Sequence, residues 1–220
     1  GKRMQADRPK QYLPLGNKTV IEHTLDRLLS MPAISGAVVA ISEGDEYWPA
    51  LDYQSEKPLL IAQGGKQRSD SVLNALQRLQ QQFTDNTQTL WVLVHDAARP
   101  CVRTADIQHL IEQASNEHGG LLALPVRDTM KRAGPADIID HTVEREALWH
   151  ALTPQMFRLD LLLAALLQAQ QQHQVITDDA SAMQLAGYQP KLIEAHEDNI
   201  KITRAFDLQL AQLYLQQQRP

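Results

Sequence analysis

Cysteine is nearly absent from this chain: Cys101 is the only one in 220 residues. That excludes an intramolecular disulfide framework and a CxxC zinc site, and it fits a reducing, cytoplasmic setting. Long apolar runs are missing too. The longest, Leu159 to Leu167, is interrupted by Asp160 and is too short to span a bilayer, so no membrane partner is expected. Nothing at the start reads as a signal peptide. Positive charge is in deficit, with 21 Lys and Arg against 26 Asp and Glu and a formal net charge of −5. General nucleic-acid binding, which needs a broad basic face, is therefore not expected. None of the eight histidines falls in a metal-spaced cluster, so no residue is assigned as a metal ligand, and the chain has no internal repeat. What remains is 43% hydrophobic residues over a length that suits one α/β domain, 1–220, with a sizeable core.

Apolar segments with strand and helix spacing alternate along that length. Helical spacing runs over Thr19–Ser30, Ser69–Phe83, Thr104–Gln113, Leu159–Gln172, Asp178 to about Ala186, and onward from about Ala205. Buried-strand composition marks Gly36–Ser42, Pro58–Gln63, Leu90–His95 and Gly120–Pro125, with shorter strands at Lys191–Glu194 and Asn199–Ile202. The pattern predicts a Rossmann-like, mostly parallel sheet with helices on both faces. Val126–Arg145 breaks the rhythm. It is too polar for a core helix and carries Gly134-Pro135 at its centre, so it reads as an extended arm of two polar strands that needs support from a partner. The Gln-rich patches at Gln80–Gln82 and Gln170–Gln172 read as solvated helix faces.

The residues suited to chemistry gather where strands end, which is where ligands bind in an open parallel sheet. The chain opens on Gly1 followed by Lys2, Arg3, Arg8 and Lys10, the composition of an anion-binding loop or of a solvated basic tail. After PLLIAQ comes GGKQRSDSV, a glycine pair followed by a helix start. After LWVLVH comes Asp96-Ala-Ala-Arg99-Pro, a carboxylate and a guanidinium separated by two small residues. Taken singly, such a pair is as often a structural ion pair as a site. Thr177 precedes a helix start in ITDDAS, and Lys201 interrupts an apolar segment in DNIKIT. His95 reads as a strand-end packing residue.

Together, GKRM and PKQY within 1–12, GGxxRxDSV at 64–72, VHDAARP at 94–100, PVRDTMKR at 125–132, TVxRxxLWxxxTPQ at 142–155, ITDDAS at 176–181 and DNIKIT at 198–203 resemble the 2-C-methyl-D-erythritol 4-phosphate cytidylyltransferase family. The resemblance runs from residue 1 to about residue 215. It implies a nucleotidyltransferase fold and transfer of a cytidylyl group from CTP to methylerythritol phosphate, with release of pyrophosphate. It implies Arg3 and Lys10 on the CTP phosphates, and Lys201 and Arg145 positioning the methylerythritol phosphate. Asp96, Arg99, Thr129, Thr153 and Thr177 would help to bind that substrate, and Gly65 and Ser71 would lie near the cytosine and ribose. It also implies Mg2+ held mainly by the nucleotide, with Asp96 at most an outer-shell participant, and a homodimer formed through the 126–145 arm.

Two departures bear on that pattern. The family opens with an apolar strand and a Pro-Ala-Ala-Gly loop, expected upstream of Gly1, and Lys66 stands where an acidic residue would follow the glycine pair. The rival readings are a cytidylyltransferase for another polyol phosphate, such as ribitol 5-phosphate, and a catalytically silent nucleotide-binding dimer.

Overall fold

The computed structural model describes residues 7–83, 89–116 and 118–218. In chain order it contains a 3-10 turn at Lys10–Tyr12, β1 (Pro14–Leu15), β2 (Lys18–Thr19), α1 (Val20–Leu29), β3 (Ala37–Ile41), α2 (Tyr47–Ala50), β4 (Leu59–Gln63), α3 (Arg68–Gln82), β5 (Trp91–Val94) and α4 (Thr104–Ala114). There follow β6 (Gly120–Pro125), β7 (Met130–Ala133), β8 (Ile139–Val143), β9 (Trp149–Arg158), α5 (Leu159–Gln171), α6 (Asp179–Leu185), β10 (Lys191–Glu194) and α7 (Ala205–Gln217). Local chemistry accounts for the helix starts. Thr19 and Glu22 form a capping box at α1, and Asp178 accepts from the Ser181 N–H at 3.0 Å to cap α6.

The central sheet has the order β10–β6–β9–β5. β10 pairs with β6 in parallel, and β9 runs antiparallel to both β6 and β5. β5, β6 and β10 thus share one direction and β9 alone opposes them, while β3 and β4 form a separate parallel pair. Side chains alternate between two cores, as the strand period requires. Leu121, Phe157, Val92 and Val94 pack with α3, α5 and α6 on one face, and Leu122, Met156, Trp91 and Leu93 pack with α4 on the other. The mostly parallel sheet with helices on both faces is therefore present.

Two expectations need correction. The pattern above marks no strand over 149–158, yet β9 runs ten residues there and passes through Pro154, which lacks the N–H that a central strand must donate. The ladder accommodates it with a bulge. Pairing of β6 with β9 shifts between Leu121–Gln155 and Ala123–Ala151, leaving Leu152, Thr153 and Pro154 opposite Leu122 alone. Conversely, no strand forms at Asn199–Ile202. Its backbone bonds instead to the loop after β5, with the Ile202 N–H donating to Ala98 O at 2.9 Å, and to side chains, with Arg99 donating to Asn199 O at 2.7 Å. The 126–145 segment does hold a polar ribbon: β7 and β8 pair antiparallel and stand exposed.

Candidate active site

Asp96, just beyond the end of β5, is the hub of a charged cluster at the carboxyl end of the sheet. Lys201 Nζ lies 2.7 Å from Asp96 Oδ2, Arg68 Nε lies 3.2 Å from Oδ1, and Arg99 Nε approaches Oδ2 at 3.5 Å without hydrogen-bond alignment. Arg68 also grips the fully buried Asp179 with both terminal nitrogens, at 3.1 and 2.8 Å. Three cations face two carboxylates, which leaves a unit of positive charge in excess. Burial works against the Asp96 charge. Even so, the bonded Lys201 ammonium, with Arg68 and Arg99 behind it, holds the carboxyl well below the usual carboxylate range. Arg68 is raised above its ordinary value, because the Asp179 and Asp96 carboxylates outweigh the cost of burying it. Burial pushes the Asp179 carboxyl up against the pull of that guanidinium. Both its oxygens accept hydrogens from Arg68, so the pair is ionised.

The β9 bulge aims Thr153 at the same loop. Its hydroxyl oxygen accepts from the Asp96 N–H at 3.1 Å and its hydrogen goes to His95 Nδ1 at 3.0 Å, while His95 Nε2–H donates to Arg99 O at 3.1 Å. Burial pushes the His95 pKa down to about 4, so the ring is neutral in the tautomer these bonds require. Thr153 is buried, with its hydroxyl turned inward. Asn199 donates to Thr153 O at 2.9 Å and Arg99 to Asn199 O at 2.7 Å, which fixes the DNIKIT segment against the strand ends. From the other side, Lys10 Nζ donates to Ile202 O at 2.8 Å, so Lys10 and Lys201 meet on one short segment.

Gly65 and Ser71 are also brought together: the Gly65 N–H donates to Ser71 Oγ at 2.9 Å. A Cβ at Gly65 would stand 2.2 Å from Asp70 Cβ, so this approach requires glycine. Thr177 is exposed just ahead of α6, whose start is held by Arg68 and by Gln155, the latter bonded to Asp178 at 2.9 Å and to the Ala180 N–H at 2.8 Å. Arg145 and Thr129 lie on the exposed arm. The Arg145 guanidinium donates to Arg127 O, and among the described residues no hydrogen bond or ion pair joins either residue to the Asp96 cluster. At its root the arm meets the residue just before DNIKIT, through an exposed ion pair of Arg127 with Glu197. Arg3 lies outside the described residues. Arg68, Asp179 and Gln155 were not singled out from sequence, although each lies inside a motif that was.

No group of three His, Cys, Asp or Glu side chains among the described residues could hold a metal ion. Both Asp96 oxygens are engaged by cations. The donor set does not fit a resident metal.

The family model described as 2-C-methyl-D-erythritol 4-phosphate cytidylyltransferase matches residues 1–217. The chain belongs to that family. A Vibrio vulnificus protein of that name is 54% identical over 222 residues, covering 100% of this chain and 92% of its own length. One from Aliivibrio fischeri is 50% identical over 220 residues, covering 100% and 91%. The crystal structure of the Francisella tularensis 2-C-methyl-D-erythritol 4-phosphate cytidylyltransferase superposes with a TM-score of 0.83 at 36% identity, covering 94% of each chain. A 4-diphosphocytidyl-2C-methyl-D-erythritol synthase structure gives 0.85 at 38% identity, covering 94% of this chain and 95% of the other. The chain is thus a nucleotidyltransferase by family, and the comparisons favour methylerythritol phosphate over another polyol phosphate. No helix among the described residues is long and apolar enough to cross a membrane.

Proposed function

We propose that this chain joins 2-C-methyl-D-erythritol 4-phosphate to CTP, giving 4-diphosphocytidyl-2-C-methyl-D-erythritol and pyrophosphate in isoprenoid precursor synthesis. A phosphate oxygen of the polyol attacks the α-phosphorus of CTP, and the bond from that phosphorus to the β-phosphate bridging oxygen breaks. Because the second pKa of a phosphomonoester is about 6, the nucleophile is already anionic at neutral pH and needs no general base. The obstacle is repulsion between two anions, and cations held in place before the substrates arrive remove it. The single observation that carries this reading is the excess positive charge of the Asp96 cluster, with Lys10 bonded to the residue next to Lys201.

In this reading Lys10 and Arg3 neutralise the triphosphate, and Lys201 holds the polyol phosphate with Arg99 and Thr177 around it. Asp96 fixes Lys201, and Thr153 fixes the loop that carries Asp96. Gly65 and Ser71 meet the cytidine. Magnesium arrives as part of the substrate, on the phosphates of CTP. Arg145 and Thr129 reach the pocket of a second copy through the 126–145 arm, so each site of a cytoplasmic homodimer is shared. Support for the arm's role is its exposed apolar tip: Ile138 and Ile139 are 69% and 62% accessible in the single chain.

Pyrophosphate release tests the reading, with CTP, Mg2+ and either methylerythritol phosphate or ribitol 5-phosphate. Release with methylerythritol phosphate alone, abolished by a chelator, is expected. Release with ribitol 5-phosphate instead would move the substrate assignment, and none with either would sink the enzyme reading.

A further inference from the structure

Arg68 sits at the first helical position of α3, in the glycine-pair loop. Its guanidinium reaches two segments far away in sequence, Asp96 just beyond the end of β5 and Asp179 at the first position of α6, two residues after Thr177, while its backbone lies between Gly65 and Ser71, which bond to each other. We propose that Arg68 and Asp179 are a positioning pair that sets the Asp96 carboxylate, and through it Lys201, while fixing the cytidine-side loop against the polyol-phosphate-side loop. The role of Lys201 in this statement rests on the function proposed above.

The geometry leaves little choice of side chain. Asp179 is fully buried and both its oxygens are taken by Arg68. The remaining Nε–H is directed at Asp96 Oδ1, which leaves Oδ2 for Lys201 at 2.7 Å. A planar fork can hold two carboxylates in one fixed relation, and a lysine ammonium cannot. Without Asp179 the guanidinium loses its anchor and can swing wholly onto Asp96, in competition with Lys201. Without Arg68, Asp179 is left as a buried charge and the start of α6 must move. In neither case does the pair touch a reacting atom, so its effect passes through Lys201 and the loop that carries it.

The test uses Arg68→Lys, Asp179→Asn and a core control, Leu76→Ala, on the buried face of the same helix. The KM for methylerythritol phosphate is expected to rise about tenfold or more in the first two variants, with a smaller rise in the KM for CTP as the cytidine-side loop loosens. Leu76→Ala is expected to lower the melting temperature without moving either constant. Amide hydrogen exchange gives a readout that does not need activity: exchange at 96–99 and 198–203 should rise about tenfold in Arg68→Lys and Asp179→Asn and stay unchanged in the control. Wild-type enzyme without turnover would overturn the proposed function and leave the exchange experiment to decide the pair. Active variants with wild-type constants and wild-type exchange would overturn the pair and leave the function standing. Failure of both variants to fold would show the pair to be a structural brace and overturn the positioning role.

Discussion

Acid should weaken this fold through His95 in a way that can be calculated. The ring is held neutral, with its pKa lowered from 6.5 to about 4 by burial, while Asp96 raises it and Arg99 and Arg68 lower it further. A depressed folded-state pKa means that the unfolded chain binds the proton more readily between those two values. Stability is complete above about pH 6.5, declines as the pH falls, and reaches its floor near the folded value. Between pH 7 and pH 5 the loss assigned to this one ring is at most about 2 kcal/mol. At a urea m-value of about 2 kcal/mol per molar this moves the unfolding midpoint by about 1 M. The assay is urea unfolding of the wild type and His95→Gln at pH 5, 6 and 7. Glutamine can still accept from Thr153 and donate to Arg99 O but carries no titratable proton, so other groups cancel in the comparison. The free-energy gap between the two proteins should shrink by up to about 2 kcal/mol from pH 7 to pH 5. A gap independent of pH would refute the buried neutral imidazole.

Replacing Lys10 with Ala is expected to lower turnover by about 10²–10³ in the pyrophosphate assay, and a loss below about threefold would remove Lys10 from the catalytic cations. Gly119→Ala should destabilise the fold by about 3 kcal/mol or more in urea unfolding. Gly119 has φ +67, and a Cβ there would lie 2.3 Å from the Phe157 ring and 2.4 Å from Met156 O. A change under about 1 kcal/mol would mean that the β6–β9 junction is looser than it stands. Ile138→Asp with Ile139→Asp should shift the protein toward monomer in sedimentation at micromolar concentration and reduce turnover, whereas an unchanged mass would detach the arm from assembly.

The layered α/β plan is legible in the order and spacing of the apolar residues. Apolar runs such as LWVLV and GLLALP cannot be solvated on either side, and the helices between them have one apolar face each, so a helix-covered sheet with a majority direction follows from burial alone. The motifs likewise place the candidate site at the strand ends, because the Gly64-Gly65 pair, Asp96-Ala-Ala-Arg99 and DNIKIT depart from what a core requires. Tertiary structure decided the rest. β9 could not be read through Pro154, since whether a missing N–H matters depends on a ladder partner that the bulge removes. Asn199–Ile202 looks like a strand locally, yet its hydrogen bonds go to the β5 loop and to Lys10 and Arg99, which only the fold brings near. Arg68 and Asp179 carry no signal of their own type. Their part in the site comes from a 2.8 Å contact between residues more than a hundred positions apart, and local sequence does not encode so long-range a pairing.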